Sequence, residues 1–285
     1  MKNRLADLLI LVFVFVIISC SKEGSSEISD KKEEKNEGLT YDEAVLNDKP
    51  IGYWLLKEAD EQDATGHAHH GTFKGLKSPA TTLPNGDTAP VFNGENSYFE
   101  IPDSDHLEVT ATGILMVEAW IRPDVLDFPK TELDKDYIHW MGKGEPGEHS
   151  WAARMYNKNS WREGRPQRIS GYAFNLEGGL GAGSYFEDEI PTGTWIHFVL
   201  IINTKKTNSN YPTGYTKIYR DGELRDQDDL KSYDIVPENG SAPIRIATRD
   251  LKSFFKGSIG KVALYDRELS KEEIKNHYHI MMDTN

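Results

Sequence analysis

The residues best equipped for chemistry fall in one stretch of the chain, Tyr137 to Asp188. It carries His139, Lys143, Arg154, Tyr156, Asn175 and Tyr185, interleaved with Trp140, Trp151, Trp161 and Tyr172. A cation or an amide can neutralise a carboxylate, and an imidazole or a phenol can remove and return a proton beside it. Aromatic rings can stack on sugar rings while polar groups orient hydroxyls. Two functions therefore fit this inventory: binding of a polysaccharide without catalysis, and lyase chemistry on an acidic polysaccharide. A lyase would use His139, Arg154, Asn175 and Tyr185 as catalytic groups. Under either reading the ligand contacts are His139, Trp140, Lys143, Arg154, Tyr156, Tyr172, Asn175 and Tyr185.

Other chemistries lack their parts. A retaining glycosidase needs two carboxylates on one strand face, whereas the neighbours in Glu187-Asp188-Glu189 point to opposite faces. There is no Gly-x-Ser-x-Gly, and the single cysteine, Cys20, leaves no thiol nucleophile. Gly178 to Gly183 is not followed by Lys-Ser/Thr, so it is read as a flat or bulged strand that another group approaches closely. His67, His69 and His70 sit in a glycine-flanked loop and are read as loop structure rather than a metal cluster. The formal charge of −13 argues against nucleic acid or anionic lipid as partners. Against that background Lys143, Arg154, Arg162, Arg165 and Arg168 are concentrated, either as solvated turn residues or as a positive groove for a carboxylated or sulfated polysaccharide.

The elements that position these residues read as strands of one antiparallel sheet. Each segment is rich in aromatic or β-branched residues, alternates with a period near two, and is bounded by Gly, Pro or charge clusters. Alternation places His139, Arg154, Tyr156, Asn175 and Tyr185 on one face, and Ile138, Trp140, Met155, Phe174 and Phe186 on the other. Trp140 and Tyr172 reach the ligand only through a phase slip. Further strands are expected at Ile51–Leu56, Pro90–Gly94, Ser97–Pro102, Met116–Pro123, Gly193–Ile202, Tyr215–Tyr219, Ile244–Ala247 and Gly257–Tyr265. Asp221-Gly222 reads as a hairpin turn. One helix is expected at the end, where Ser270 and Glu273 form a capping box and Ile274, Tyr278 and Met281 share a face. It is expected to pack on the sandwich rim.

The chain begins with Lys2 and Arg4 before an apolar run, Leu8–Ile18, that is shorter than the ~20 residues of a membrane span. This resembles a bacterial lipoprotein signal, with Cys20 as the lipidated residue and the membrane contacted through that anchor alone. Residues 1–20 are thus read as signal peptide. Residues 21–47, rich in Lys, Glu, Ser and Asp, are read as a disordered charged tether. Residues 48–285 are read as one all-β domain. Cys20-Ser21-Lys22-Glu23 is similar to the acidic export signals of Bacteroidetes-type lipoproteins, which implies the outer membrane and the cell surface.

Within the domain, Tyr53-Trp54, Asp63 to Gly71, Phe92-Asn93-Gly94, Glu118-Ala119-Trp120-Ile121, Gly193-x-Trp195-x-His197, Tyr219-x-Asp221-Gly222, Phe255-x-Gly257-x-Ile259 and Leu264 to Ser270 follow one another in a recognisable order. In this order they resemble the laminin-G-like (LamG) group of the concanavalin A-like lectin and glucanase superfamily. The resemblance spans Ile51 to about Tyr278. It implies a jelly-roll β-sandwich of two antiparallel sheets with a short C-terminal helix. Its members include lectins, glucanases, lyases and adhesion domains, so the resemblance leaves the activity open. Gly181-Ala182-Gly183-Ser184-Tyr185-Phe186 is also loosely similar to a strand of alginate lyases of this fold, without its lysine. Many LamG relatives hold a structural calcium. Asp63 matches one of the acidic positions, while Gly260 stands where another carboxylate would be, and calcium requires about six to eight oxygen ligands.

Overall fold

A computed structural model of the chain describes residues 38–75, 80–133, 136–160, 165 and 167–283. Alternating and continuous apolar segments resolve into strands, in chain order β1 (Gly52–Trp54), β2 (Thr72–Lys74), β3 (Ala80–Thr82), β4 (Thr88–Asn93) and β5 (Tyr98–Ile101). There follow β6 (Ile114–Pro123), β7 (Tyr137–Glu145), β8 (Glu148–Tyr156), β9 (Ile169–Ala173) and β10 (Ala182–Phe186). The last are β11 (Ile196–Asn203), β12 (Tyr215–Arg220), β13 (Glu223–Asp229), β14 (Ile244–Ile246) and β15 (Lys256–Tyr265). Three α-helices, α1 (Tyr41–Asn47), α2 (Val109–Thr112) and α3 (Lys271–Met282), complete the regular structure.

The strands form two antiparallel sheets. Sheet A runs β13-β12-β11-β6-β15-β4-β3 with β1 beside β15, and sheet B runs β10-β9-β8-β7-β14-β5-β2. Inward residues of both sheets, among them Trp54, Val117, Trp140, Trp151, Met155, Phe198 and Leu200, meet in one core between them. This is the jelly-roll sandwich that the LamG resemblance implied.

Sheet A has a second apolar layer on its other side. Tyr41 and Val45 of α1 and Ile274 and Met281 of α3 bury Met116, Trp120, Val199, Ile201 and Tyr265. A strand covered on both faces cannot alternate, which is why β11 is apolar and buried along its length. Two expectations change here. Residues 41–47 are not part of a tether: Thr40 caps α1 through a box with Glu43, and Tyr41, Ala44 and Val45 are buried. Helix α3 keeps its Ser270–Glu273 box but lies on the outer face of sheet A rather than on the rim.

Among the described residues no α-helix covers sheet B, and one irregularity in it matters for the site. His139 pairs with Arg154, but the next pair is Met141 with Ala153, so Trp140 is an inserted residue. Such a bulge inverts the phase of the rest of its strand. Beyond it Met141 and Lys143 point inward, and Gly142 points outward, where a Cβ would come within 3.0 Å of Arg249 Cγ.

Candidate functional site on the outer face of sheet B

The outer face of sheet B is built from paired registers. Tyr137 pairs with Tyr156 and His139 with Arg154. Arg154 pairs in turn with Ser170, and Ser170 with Tyr185. His139, Arg154, Tyr156 and Tyr185 therefore share one face, with Tyr137, Ser170 and Tyr172 beside them. Arg154 lies at the centre. Its guanidinium carbon stands 4.0 Å from the centroid of the Tyr137 ring and 4.7 Å from that of Tyr172. One terminal nitrogen donates to Tyr156 Oη at 3.2 Å, and the other lies 3.5 Å from His139 Nε2. Its Nε is buried without a hydrogen-bond partner, and no carboxylate among the described residues pairs with it. Cation–π contacts compensate part of the lost hydration, but a buried cation without a counter-ion is costly.

Around Arg154 other polar atoms are also left open. His149 Nδ1, Ser170 Oγ and Arg249 Nε are buried and make no hydrogen bond, while His139 Nδ1 and Glu132 Oε1, likewise without a hydrogen bond, face each other at 3.5 Å. Burial and the neighbouring cations Arg249 and Arg154 hold the His139 imidazole well below its ordinary range, so it is neutral at pH 7. Burial and the nearby Asp250 raise the Glu132 carboxyl. Burial also opposes ionisation of Asp250, but Arg249, 3.0 Å away, and then Lys252 outweigh it and keep that carboxyl low. Glu132, His139 and Asp250 bring one ligand atom each to within 4.8 Å of one another. Arg154, Arg249 and Lys252 crowd the same trio, and the charge they supply suits an anion better than a metal cation.

Several sequence-predicted residues lie elsewhere. Trp140 and Trp151 are fully buried in the inter-sheet core and cannot stack on a ligand. Lys143, inverted by the bulge, is 1% exposed; its Nζ lies 2.6 Å from Asp103 and 2.8 Å from Glu108, and donates to the carbonyls of Gly240 and Ala242. Asn175 lies beyond the end of β9, where its amide accepts from Val236 N and donates to the Asp234 carbonyl. Tyr185 is on the site's face but two strands from Arg154, about 10 Å away at ordinary strand spacing, and is capped by Arg168 at 3.7 Å. The phase of β9 is also opposite to the expected one. Ala173 faces the core opposite Trp151, so Tyr172 and Phe174 face outward, their rings 6.1 Å apart. Tyr172 thus reaches the site without any slip. Of the basic cluster, Arg168 is paired with Glu187. Trp161, Arg162 and Cys20 lie outside the described residues. Tyr137, Ser170 and Arg249 were missed. Tyr137 could have been found from its place opposite Tyr156 in a hairpin, but Arg249 arrives from the β14–β15 connection and carries no local signal.

Asp63 is 5% exposed and works as the organiser of its loop. Its carboxylate accepts from the backbone N–H groups of Tyr53, Thr65 and His69 and from the Thr65 hydroxyl. Its neighbours are donors, so they do not form an oxygen shell for calcium. At Gly260, a Cβ would fall 2.9 Å from the Ala89 Cβ, which leaves no room for a second carboxylate. A different carboxylate, Glu118, sits in a dense polar network. It accepts from Tyr41 and Tyr265 hydroxyls, each at 2.9 Å, and meets His197 at 2.8 Å and His277 at 3.0 Å. All five residues are buried beneath α1 and α3, so this network is structural.

This sandwich and its motif order define a class. The chain belongs to the concanavalin A-like lectin/glucanases superfamily, whose Laminin_G_3 profile matches residues 93–275, more than half of the sequence. No curated protein sequence matches the chain. Among solved structures, the binding domain of botulinum neurotoxin DC in complex with SialylT superposes with a TM-score of 0.61 at 14% identity. That match covers 84% of this chain and 53% of the other. The receptor binding domain of the C/D mosaic neurotoxin gives 0.59 at 14% identity, over 82% and 51% of the two chains. Domain 4 of the extracellular arabinanase AbnA from Geobacillus stearothermophilus, in complex with arabinotriose, gives 0.53 at 17% identity, over 81% and 98%. This chain spans about half the length of the neurotoxin domains it matches. At these identities the likeness is one of fold.

Proposed function

We propose that the domain binds an acidic polysaccharide across the outer face of sheet B, with a carboxylate or sulfate seated on Arg154. The single observation that carries this reading is the Arg154 guanidinium, surrounded by tyrosine rings and lacking a counter-ion among the described residues. An incoming anion would supply the missing charge, and the Tyr172 ring offers a stacking surface. Solved relatives of the fold captured with arabinotriose and with SialylT agree with a glycan ligand. The experiment is calorimetric titration with uronate-containing, sulfated and neutral oligosaccharides. Binding of acidic ligands that disappears in Arg154→Ala supports the reading; equal binding of both protein forms sinks it.

A second reading, a lyase, is favoured by the neutral His139 next to Arg154 and by the Tyr156 hydroxyl on the same guanidinium. Arg154 would neutralise the uronate carboxylate. A base would then take the proton from the adjacent carbon as the bond to the departing glycosidic oxygen breaks. That oxygen would receive a proton, and a carbon–carbon double bond would form, with no other reactant. His139 and Tyr156 are the groups for these transfers, in place of the distant Asn175 and Tyr185. Appearance of unsaturated-uronate absorbance separates the lyase from the binding protein.

The chain is also proposed to be an outer-membrane lipoprotein displayed at the cell surface through Cys20. Lys2, Arg4, the Leu8–Ile18 run and the lone cysteine support this. Among the described residues no helix is long and apolar enough to cross a membrane. Cys20→Ala should move the protein from the membrane fraction to the soluble one, or stall its processing. Identical partitioning of the two forms would sink the assignment.

A further inference from the structure

At one end of the sandwich a cleft of about 300 Å³ is lined by His67, His69, His106 and Asp266, with Ile51 and Thr112 among its other walls. The site is remote in chemistry from the Arg154 face, since it holds three imidazoles and no arginine. His67 and His69 come from the loop after β1, and His106 from the turn after β5. The His69 ring neighbours both others: the His67 and His69 centroids are 6.3 Å apart, and those of His69 and His106 are 6.2 Å apart. None of their ring nitrogens makes a hydrogen bond with the described residues, and the Asp266 carboxylate likewise has no protein partner there.

The backbones behind these rings are fixed. His69 N–H donates to the buried Asp63 carboxylate, and the His69 carbonyl accepts from Trp54 Nε1 at 2.7 Å. Ala68 takes φ of 65°, a left-handed turn between the two histidines. The His106 turn is anchored by the buried Leu107, and the Asp266 carbonyl is held by the Thr112 hydroxyl at 2.8 Å. Three imidazoles thus stand on rigid supports while their own side chains are free to rotate.

We infer that this cleft binds a borderline transition-metal cation, zinc(II) being the physiological form, through His67, His69, His106 and the Asp266 carboxylate. Two of the three imidazole pairs stand near the separation required, and no three of the four donor atoms as they stand lie within 4.8 Å of one another, so loading the ion turns these side chains inward. With zinc–nitrogen bonds of about 2.0–2.1 Å, two imidazoles on a tetrahedral ion have centroids about 5 Å apart. Each observed pair is about 1 Å wider, a gap that rotations of His67 and His106, both exposed, can close. Nitrogen-rich donor sets select zinc, nickel or copper over calcium and magnesium. The sequence reading took His67, His69 and His70 as loop structure, and for His70 that stands: its Nδ1 accepts from Asp63 N. His106, brought in by the fold, replaces it.

The test is equilibrium dialysis of the untagged chain against zinc chloride at pH 7.5, with X-ray absorption on the loaded protein. One zinc per chain at micromolar concentration is expected, with a nitrogen/oxygen shell that includes imidazole scattering. Binding should fall away below about pH 6 as imidazoles protonate. His69→Ala should abolish it. His67→Asn and His106→Asn change exposed side chains, keep the fold, and should each weaken it by at least about tenfold. His139→Ala should leave zinc binding unchanged, which separates this site from the glycan face. No zinc uptake at about 100 μM, undiminished uptake in the His67→Asn/His106→Asn double variant, or loss in His139→Ala would each overturn the proposal.

Discussion

The outer faces of the two sheets carry much the same chemistry and make opposite use of it. On sheet A, Glu118, His197, His277, Tyr41 and Tyr265 are sealed under two helices, and the central carboxylate accepts bonds from all four neighbours. On sheet B, His139, Tyr137, Tyr156 and Tyr172 surround the Arg154 cation, and no acid among the described residues balances it. Residue type alone does not separate a structural network from a binding site. Completeness of pairing does, because a buried charge that the protein leaves unbalanced must be balanced by something else.

The comparison is most easily broken at Glu118. Glu118→Gln leaves buried donors facing an amide and should cost about 3–5 kcal/mol, roughly 10 °C in melting temperature. Glycan affinity per folded molecule should not change. If calorimetry and titration show the reverse, sheet A is the functional face.

A pH series tests the same network more gently. The His277 imidazole is opposed by burial, yet Glu118 and Asp48 raise its pKa to about 10. A raised histidine contributes its full stability below its unfolded pKa of about 6.5 and loses it as pH rises through about 10. The Glu118 carboxyl is opposed by burial and lowered well below its ordinary value by His277 and His197. Its contribution is present above about pH 4.5 and lost as pH falls. Melting temperature should therefore peak between about pH 4.5 and 6.5 and decline above it, by at most about 1.4 kcal/mol per pH unit. His277→Gln should flatten the alkaline limb.

Arg154 sharpens the contrast. Arg154→Met removes a half-buried charge that no acid among the described residues balances, so melting temperature should hold or rise. Affinity for an acidic oligosaccharide should drop about 10- to 100-fold, the worth of about 1.5–3 kcal/mol of charge-assisted bonding. A large loss of stability would instead make Arg154 part of the scaffold. The smallest effect is expected at Tyr172. Tyr172→Ala should cost about 1 kcal/mol of stacking, roughly fivefold in affinity for acidic and neutral sugars alike.

Much of the sandwich was legible because burial on one face imposes a period of two, and the motif order fixed its family. What escaped was set by contacts distant in sequence. β13 reads Glu-Leu-Arg-Asp-Gln-Asp-Asp and carries no apolar alternation, since an edge strand needs only one partner and benefits from charge. α1 is seven residues long and exists because Tyr41 and Val45 find sheet A. At the site, His139, Arg154, Tyr156 and Tyr185 came out on one face, as alternation requires. Lys143 and Tyr172 did not follow it, because a single inserted residue in β7 and the register of β9 on β8 are pairing events that no local pattern records. Arg249 and His106 were invisible for the same reason: a connection brings each to its cluster from elsewhere.

The seating of α1 has a mechanical consequence. Tension applied at Gly38 reaches the sandwich first through this seven-residue helix, the first element among the described residues. The helix is held by side-chain grips: Tyr41 on Glu118, and Asp42 clasped by Lys261 and by the Tyr53 hydroxyl. A strand inside a sheet resists a pull by shearing many ladder bonds at once, whereas these grips can yield in succession. A domain pulled between Gly38 and sheet B would therefore lengthen at α1 while the strands of sheet B keep their register.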